Sequence, residues 1–395
     1  MSPTLIIVLL SMLLGIQPVA TDLYLPALPA IKAEFGATLS QVQLTLSALL
    51  LAFGTSQLVW GPLSDRFGRR PILLWGLGTF TLAGLGCVLA SSMQELIVWR
   101  ALQGAAMGAV VMCARAIVRD LYTPETGAGV MSKALTGLGF LACASAPLGG
   151  LLTDLWSWHA ALSLVMGFGA IALILVALTF KETVHRKNPH ALQVKVLAKT
   201  WWHIVRHPTF VAFTCVSIGS YGGLFTFLAS SSFVFINLLG LARWQYGLLL
   251  FSMAFTYLLG TVLCRRLLAR FGVTQTVAIG GVFSLVGGGW MALNAWLGGQ
   301  SVVSLMGPFY WFVLAHGIHQ PCGQSGAVGP FPKAAGAASA LGGFLMMAAA
   351  FITGLWLGAV QDGSALPMAQ SIAFWSVITA LSAWLLVLRR GGPRV

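Results

Sequence analysis

Nine acidic residues occur in the chain, and Asp22 alone falls well inside a long apolar run. Burying a carboxylate's charge is costly, so an acid placed there is a functional group by default, and the chemistry it offers is loading and releasing a proton. After Glu182 the only acid is Asp362, so a proton-carrying carboxylate must come from the first half. Arg100 is the expected counter-charge. With the first helix running outward and the fourth inward, Asp22 near the end of one and Arg100 near the start of the other share a depth. The alternatives are a static ion pair, or an Asp22 close enough to the outer surface to stay hydrated.

A second set of charges lies in the string GPLSDRFGRRP, Gly61 to Pro71. Asp65, Arg66, Arg69 and Arg70 are pinned there in a tight turn between two apolar runs. Arginines so placed belong to the cytoplasmic face, because positive loops stay inside. Gly61 is expected to let helices pack closely, and Gly68 to take a turn geometry that residues with a Cβ resist. Asp120, beside Arg119, closes the fourth helix on the same face. The plainer reading is a solvated charge cluster whose pairs are individually weak.

Pro147, with Gly149 and Gly150, permits a bend and close helix approach in the fifth span, although packing alone also explains it. His316, His319 and Cys322 recur every third residue and so share a face. No carboxylate joins them, and no metal site is expected. Tyr24, Gln103, Met107, Tyr221 and Phe225 are candidate cavity-lining residues, with core or lipid-facing packing as the alternative.

The elements that position these residues are membrane spans. The chain has 395 residues, 58% of them hydrophobic and 8% charged, with mean hydropathy +0.88. A soluble domain carries roughly 25% charged residues. Twelve spans fit, each near the ~20 residues a bilayer requires: 4–25, 40–63, 71–90, 95–119, 128–153 and 159–180, then 210–232, 244–264, 274–297, 302–324, 335–360 and 368–388. An even count puts both termini in the cytoplasm. The net charge of +13 follows that topology. Most Lys and Arg fall in alternate connections, Lys32 and Arg243 fall outside, and Arg100 and Arg115 fall within the membrane. This is no nucleic-acid footprint. The six cysteines read as small packing residues in or beside apolar runs. The apolar N-terminus lacks the basic residues of a cleaved signal.

Residues 181–207 form the one long polar segment. In it Lys195, Lys199, His203 and Arg206 recur at helical spacing against Val194, Leu197, Trp201 and Ile204, as in an amphipathic helix on the inner leaflet. A binding arm for a partner protein is the alternative. The segment separates an N-terminal six-helix bundle, 1–180, from a C-terminal one, 208–395. A faint repeat supports the division: Arg66-Phe67-Gly68 returns as Arg270-Phe271-Gly272, with Ala269 where Asp65 stood. Two such halves make a transporter plan.

Several strings resemble known motifs. GPLSDRFGRRP is similar to the signature loop between helices two and three of the major facilitator superfamily. Asp22 with Leu23-Tyr24-Leu25-Pro26-Ala27-Leu28-Pro29 resembles the first-helix signature of its bicyclomycin-resistance and chloramphenicol-efflux family. Leu96, Arg100, Gln103 and Gly104 resemble the superfamily's fourth-helix motif. Ala146 to Gly150 resembles the fifth-helix antiport motif, with Ala146 and Ala142 standing where that motif has glycines. RAIVRDLY from Arg115, Lys181-Glu182-Thr183, and PFPKAAGAASALGG from Pro330 match later family positions.

The resemblance implies an all-α membrane protein of the major facilitator fold, a drug:proton antiporter working by alternating access. It implies proton coupling through Asp22 and Arg100. It also implies a conformational clasp built from Gly61, Asp65, Arg66, Gly68, Arg69, Arg70, Arg119 and Asp120. The partners implied are a small amphipathic substrate, protons and lipid. The protein is read as a monomer of the bacterial inner membrane that needs no cofactor beyond the proton gradient. Proton-driven uptake of a metabolite such as a nucleoside stays open. A lipid-modifying enzyme would need paired acids or a Ser/His/Asp set, and none is present. A transporter-like receptor would need a longer signalling tail.

Overall fold

The computed structural model describes residues 3–122, 124–184, 193–299, 301–360 and 362–390. Part of the polar linker (185–192) and the tail residue Arg394 lie outside them. Among the described residues the protein is helical, without strands. The helices are α1 (Pro3–Asp22), α2 (Leu28–Glu34), α3 (Leu39–Phe67), α4 (Arg69–Val88), α5 (Met93–Leu121), α6 (Pro124–Leu155), α7 (Trp158–Thr179), α8 (Val194–Val205), α9 (Pro208–Ser232), α10 (Arg243–Trp296), α11 (Val302–Val328), α12 (Ala335–Val360) and α13 (Leu366–Leu381).

Among the described residues eleven apolar helical runs are long enough to cross a bilayer, and one of them, α10, has 54 residues. That is more than two bilayer-spanning lengths. The run is broken at Gly272, where φ is 72° and ψ 178°. Counting its two parts separately gives twelve spans. Helix starts follow the local sequence. Thr38 and Gln41 form a reciprocal capping box before α3, Ser301 and Ser304 another before α11, and Ser92 accepts from the Glu95 N–H at the start of α5. Such caps satisfy N–H groups that a helix cannot pair internally.

The first span is longer than the sequence suggested, running from Thr4 to Glu34. Pro26 and Pro29 read as a stop, yet they only break the helix. Lacking N–H groups, they cannot bond the carbonyls of Asp22 and Leu25. The chain passes through a short 3₁₀ turn, Leu25–Ala27, and resumes as α2. At its far end Trp158 Nε1 donates to Glu34 Oε2 at 2.5 Å. Asp22 thus sits at an interior break and not near the end of its span.

The chain divides into two compact units, Met1–Val194 with Ala242–Phe251, and Lys195–Leu241 with Ser252–Val395. In the first, α5 packs against α3 and α4, α1 against α6, and α4 against α7. Helix α5 is the most enclosed, with 72% of its apolar stretch buried against 33% for α7. In the second, α9 packs against α11, α12 and α13. Large apolar side chains such as Trp75, Phe140, Leu178 and Trp356 are exposed, as a lipid-facing exterior requires. Residues 242–251 join the first unit because Asp154, in the last turn of α6, holds them. Its carboxylate accepts from Arg243 Nη1 at 2.9 Å and from the Trp244 N–H at 3.1 Å.

Helix α8 occupies the patterned part of the linker. Lys195, Lys199, Trp202 and Arg206 form an exposed stripe, Ile204 is buried, and the Arg206 guanidinium lies 4.0 Å over the Trp202 ring. Arg115 lies on α5 inside the apolar run Met93–Leu121, and its side chain is exposed at the surface of the protein.

Candidate functional site

Asp22 ends α1 half-buried, and its Oδ1 lies 2.8 Å from the Thr21 hydroxyl. The same hydroxyl lies 3.0 Å from the Gln17 carbonyl. The expected pair with Arg100 is not made; the described ion pairs join neither residue to a partner. Arg100 is fully buried. Its Nη2 donates to the Ala20 carbonyl at 2.9 Å and its Nη1 to Gln103 Oε1 at 2.7 Å. The guanidinium sits 4.2 Å over the Tyr24 ring. The reason lies in the helix break. Regular helix would bond the Tyr24 N–H to Ala20, but that N–H turns to the Thr21 carbonyl at 3.3 Å. The freed Ala20 carbonyl is an acceptor that a buried arginine can take.

The Tyr24 hydroxyl meets Thr45 Oγ1 at 2.7 Å, and Thr45 itself donates to the Val42 carbonyl at 2.6 Å. Arg100 Nε and Gln103 Nε2 are buried with no protein partner. Gly149 brings α6 against this break: a Cβ there would stand 2.0 Å from the Leu23 carbonyl oxygen. Gly150 makes a similar approach to the Arg243 backbone, and Gly247 to Pro147. The Pro147–Gly150 string is therefore close-packing surface on both sides.

Met107 and Phe225, proposed from sequence as cavity lining, are fully buried, as are Tyr24 and Gln103; Tyr221 is half-buried. His316 Nδ1 pairs with Ser220 Oγ at 2.8 Å on α9, while His319 Nε2 meets the Val277 carbonyl at 3.2 Å on α10. The two imidazoles thus serve different neighbours.

The charge cluster at the α3–α4 turn is built around Arg69, which is 3% exposed. Its Nε donates to Asp120 Oδ2 at 2.9 Å, and its Nη1 reaches Asp65 Oδ1 at 2.7 Å and Ser64 Oγ at 2.6 Å. Thr183 Oγ1 donates to Asp120 Oδ2 at 3.2 Å. Gly68 has φ 110° and ψ 163°, a conformation open to glycine and costly for other residues. A Cβ on it would stand 2.3 Å from Glu182 Oε2.

Glu182 is the member that sequence reasoning passed over. Its carboxylate caps α4, accepting from the Arg69 and Arg70 N–H groups at 2.9 and 3.1 Å, and from those of Thr183 and Val184. Partial burial opposes its charge, yet these four backbone donors hold its pKa below the ordinary glutamate value. Arg70 turns away and donates to the carbonyls of Phe180 and Ala177, closing the end of α7. Arg66 and Arg119 are exposed, and Arg66 rests on its neighbour Phe67. Gly61 is not required by close packing: a Cβ there would meet only the Met112 methyl, at an ordinary 3.5 Å.

A buried charge cluster at a tight turn and an acid at an interior helix break, set in twelve spans, fit a transporter. A family model described as Major Facilitator Superfamily matches residues 10–355. The chain belongs to that superfamily. It is 30% identical over 342 residues to multidrug resistance protein D of Escherichia coli K12, covering 86% of this chain and 85% of that protein. It is 27% identical over 389 residues to a bicyclomycin resistance protein homolog of Haemophilus influenzae, covering 98% and 97%. It is 28% identical over 329 residues to a chloramphenicol resistance protein of Pseudomonas aeruginosa, covering 82% and 78%. Among solved structures, a bacterial homolog of the human lysosomal transporter Spinster matches with TM-score 0.76 at 14% identity, covering 98% of this chain and 97% of that one. The Escherichia coli xylose transporter XylE matches with the same score, identity and coverage. At that identity the likeness is one of fold. Members of this superfamily are transporters and not enzymes, so the chain is a multi-pass membrane transporter.

Proposed function

We propose that this transporter exports small amphipathic, drug-like compounds in exchange for protons, with Asp22 as the proton carrier. The observation that carries this reading is the hydrogen-bond geometry at the break in the first span. Thr21 has one hydroxyl proton and two neighbours, Asp22 Oδ1 at 2.8 Å and the Gln17 carbonyl at 3.0 Å. When Asp22 is ionised, Thr21 donates to it. When Asp22 carries a proton, the acid donates to Thr21, whose own proton turns to Gln17. Both protonation states are thus hydrogen-bonded, which lowers the cost of cycling an acid in an apolar setting.

Arg100 is a buried positive charge held by the Ala20 carbonyl, two residues before this acid, and by the Tyr24 ring. Arg100 Nε and Gln103 Nε2 offer spare donors to a substrate acceptor. Tyr24 and Met107 in the first unit are aromatic and soft side chains of the kind that adapts to varied amphipathic ligands, and both are buried in this conformation. In the clasp Arg69 and Glu182 are the anchors, with Asp65 and Asp120 as their partners, tying the α3–α4 turn to α5 and to the segment after α7. The names of the curated relatives support drugs as the substrate class. We place the protein in a bacterial inner membrane with both termini cytoplasmic, from the distribution of basic residues.

The test is a susceptibility panel in an efflux-deficient host that includes bicyclomycin and chloramphenicol. Wild type is expected to raise the inhibitory concentration of at least one compound, and Asp22→Asn, present in the membrane at equal amount, to raise none. Equal resistance from both proteins would remove Asp22 from the mechanism.

A further inference from the structure

Two of the six cysteines do more than fill space. In the second unit, α10 and α11 approach closely where glycine faces glycine. A Cβ on Gly260 would stand 2.6 Å from the Leu314 carbonyl oxygen, and one on Gly317 2.7 Å from that of Tyr257. Close backbone approach of this kind draws the next side chains along the crossing into contact. One turn beyond Gly260 is Cys264, and just beyond Gly317 is Cys322. Their sulfurs lie 3.5 Å apart, and Cys264 Sγ lies 3.8 Å from the Ile318 carbonyl. Both thiol protons have a place in this arrangement: Cys322 donates to Cys264, and Cys264 donates to Ile318. All six cysteines are free thiols, and among the described residues Cys87, Cys113, Cys143 and Cys215 make no such sulfur contact.

We propose that Cys264 and Cys322 form a dithiol that a peroxide-class oxidant converts into a disulfide joining α10 to α11. A disulfide holds its sulfurs about 2.05 Å apart, so the two must close by about 1.5 Å. Rotation of two side chains on a shared helix crossing can supply that shift. The Cys264 sulfur attacks one peroxide oxygen, the O–O bond breaks, and the departing hydroxide takes a proton to become water. Cys322 then displaces the hydroxyl from the sulfenic acid, forming the S–S bond and a second water. Two thiols and one hydrogen peroxide become one disulfide and two waters. Both cysteines belong to the same unit, so the bond restrains one helix pair and cross-links nothing beyond it.

The experiment treats full-length protein in native membranes with limiting hydrogen peroxide and blocks remaining thiols with N-ethylmaleimide. Peptides are then mapped by mass spectrometry without reductant. The expected product is a linked pair carrying Cys264 and Cys322, lighter by two hydrogens than the separate peptides. It should revert with dithiothreitol and exceed any other cysteine pairing at least tenfold. In Cys322→Ser the linked product should vanish and Cys264 should carry oxygen instead. The proposal is overturned if wild type shows both residues alkylated after peroxide treatment, or each oxidised separately to sulfinic acid. The readout is a mass and does not depend on the transported compound.

Discussion

The turn at Gly68 and the turn at Gly272 have the same local sequence and the same backbone solution, yet only the first is held by charge. Arg66-Phe67-Gly68 and Arg270-Phe271-Gly272 each place glycine at positive φ with extended ψ, 110° and 163° in one, 72° and 178° in the other. In each the arginine rests over the adjacent phenylalanine ring, at 5.5 and 5.2 Å. Beyond this the turns part. The first carries Asp65, Arg69, Asp120 and Glu182 in one bonded cluster. Around the second, Ala269 replaces the acid, Arg265, Arg266 and Arg270 line the turn, and no carboxylate follows in sequence until Asp362. The repeated tripeptide therefore encodes the turn, and residues outside it encode the charge cluster.

The largest expected difference between the turns comes from the arginines. Removing one partner of a buried ion pair costs about 3–5 kcal/mol, because the remaining charge stays buried. Arg69→Ala strands Asp120 at 16% and Asp65 at 44% side-chain exposure, so water offsets part of that penalty and the expected cost is about 1–3 kcal/mol. Arg270→Ala removes an exposed side chain and should stay within about 0.5 kcal/mol of wild type. Thermal unfolding of both variants in one detergent measures the gap, and similar shifts would mean that the first turn is no better held than the second.

Next in size are the glycines. Gly68→Ala meets both the backbone penalty of its positive φ with extended ψ, about 1–3 kcal/mol, and the Glu182 carboxylate in the way of its Cβ. Gly272→Ala meets the backbone penalty alone, since nothing lies within 4 Å of its Cβ position. The first variant should therefore unfold at the lower temperature, and the reverse order would remove Glu182 from the turn.

The smallest effect carries a pH signature. Glu182→Gln weakens the cap on α4, which costs about 0.5–2 kcal/mol for a capping residue. The folded-state pKa of Glu182 is depressed, so its charge contributes stability above the unfolded value, about 4.3. That contribution fades as pH falls through the lower folded value. The difference in unfolding temperature between wild type and Glu182→Gln should be full at pH 7 and close as pH falls through about 4 toward 3. A gap that is constant with pH would assign the effect to shape and not to charge.

Much of this architecture was legible in the sequence. Apolar run lengths point to twelve spans, including the two that run together as one 54-residue helix, because Gly272 repeats Gly68 in an identical tripeptide. Asp65, Arg69 and Asp120 were legible as a charge cluster because they sit at helix ends on one face. What escaped depends on bonds that sequence spacing does not carry. Pro26 and Pro29 look like the end of a helix, whereas they interrupt one that resumes. Arg100 looks like a partner for Asp22, whereas the interruption frees the Ala20 carbonyl for it. Glu182 reaches the α3–α4 turn from far along the chain, and its one signal was Lys181-Glu182-Thr183 directly after a span. The contact between Cys264 and Cys322 follows from a glycine-lined crossing that neither cysteine's spacing reveals.

The central claim is that Asp22 carries the coupled proton. The most direct measurement uses inverted membrane vesicles with an imposed pH gradient and follows lumenal pH as chloramphenicol or bicyclomycin is added. The compound chosen is the one to which wild type confers resistance in the susceptibility panel. Wild type should collapse part of the gradient on each addition. Asp22→Asn, which keeps the side chain's size and hydrogen bonding, should leave the gradient unchanged and accumulate no compound. Drug-dependent proton efflux from Asp22→Asn vesicles at the wild-type rate would contradict the account and place the coupling site at another residue.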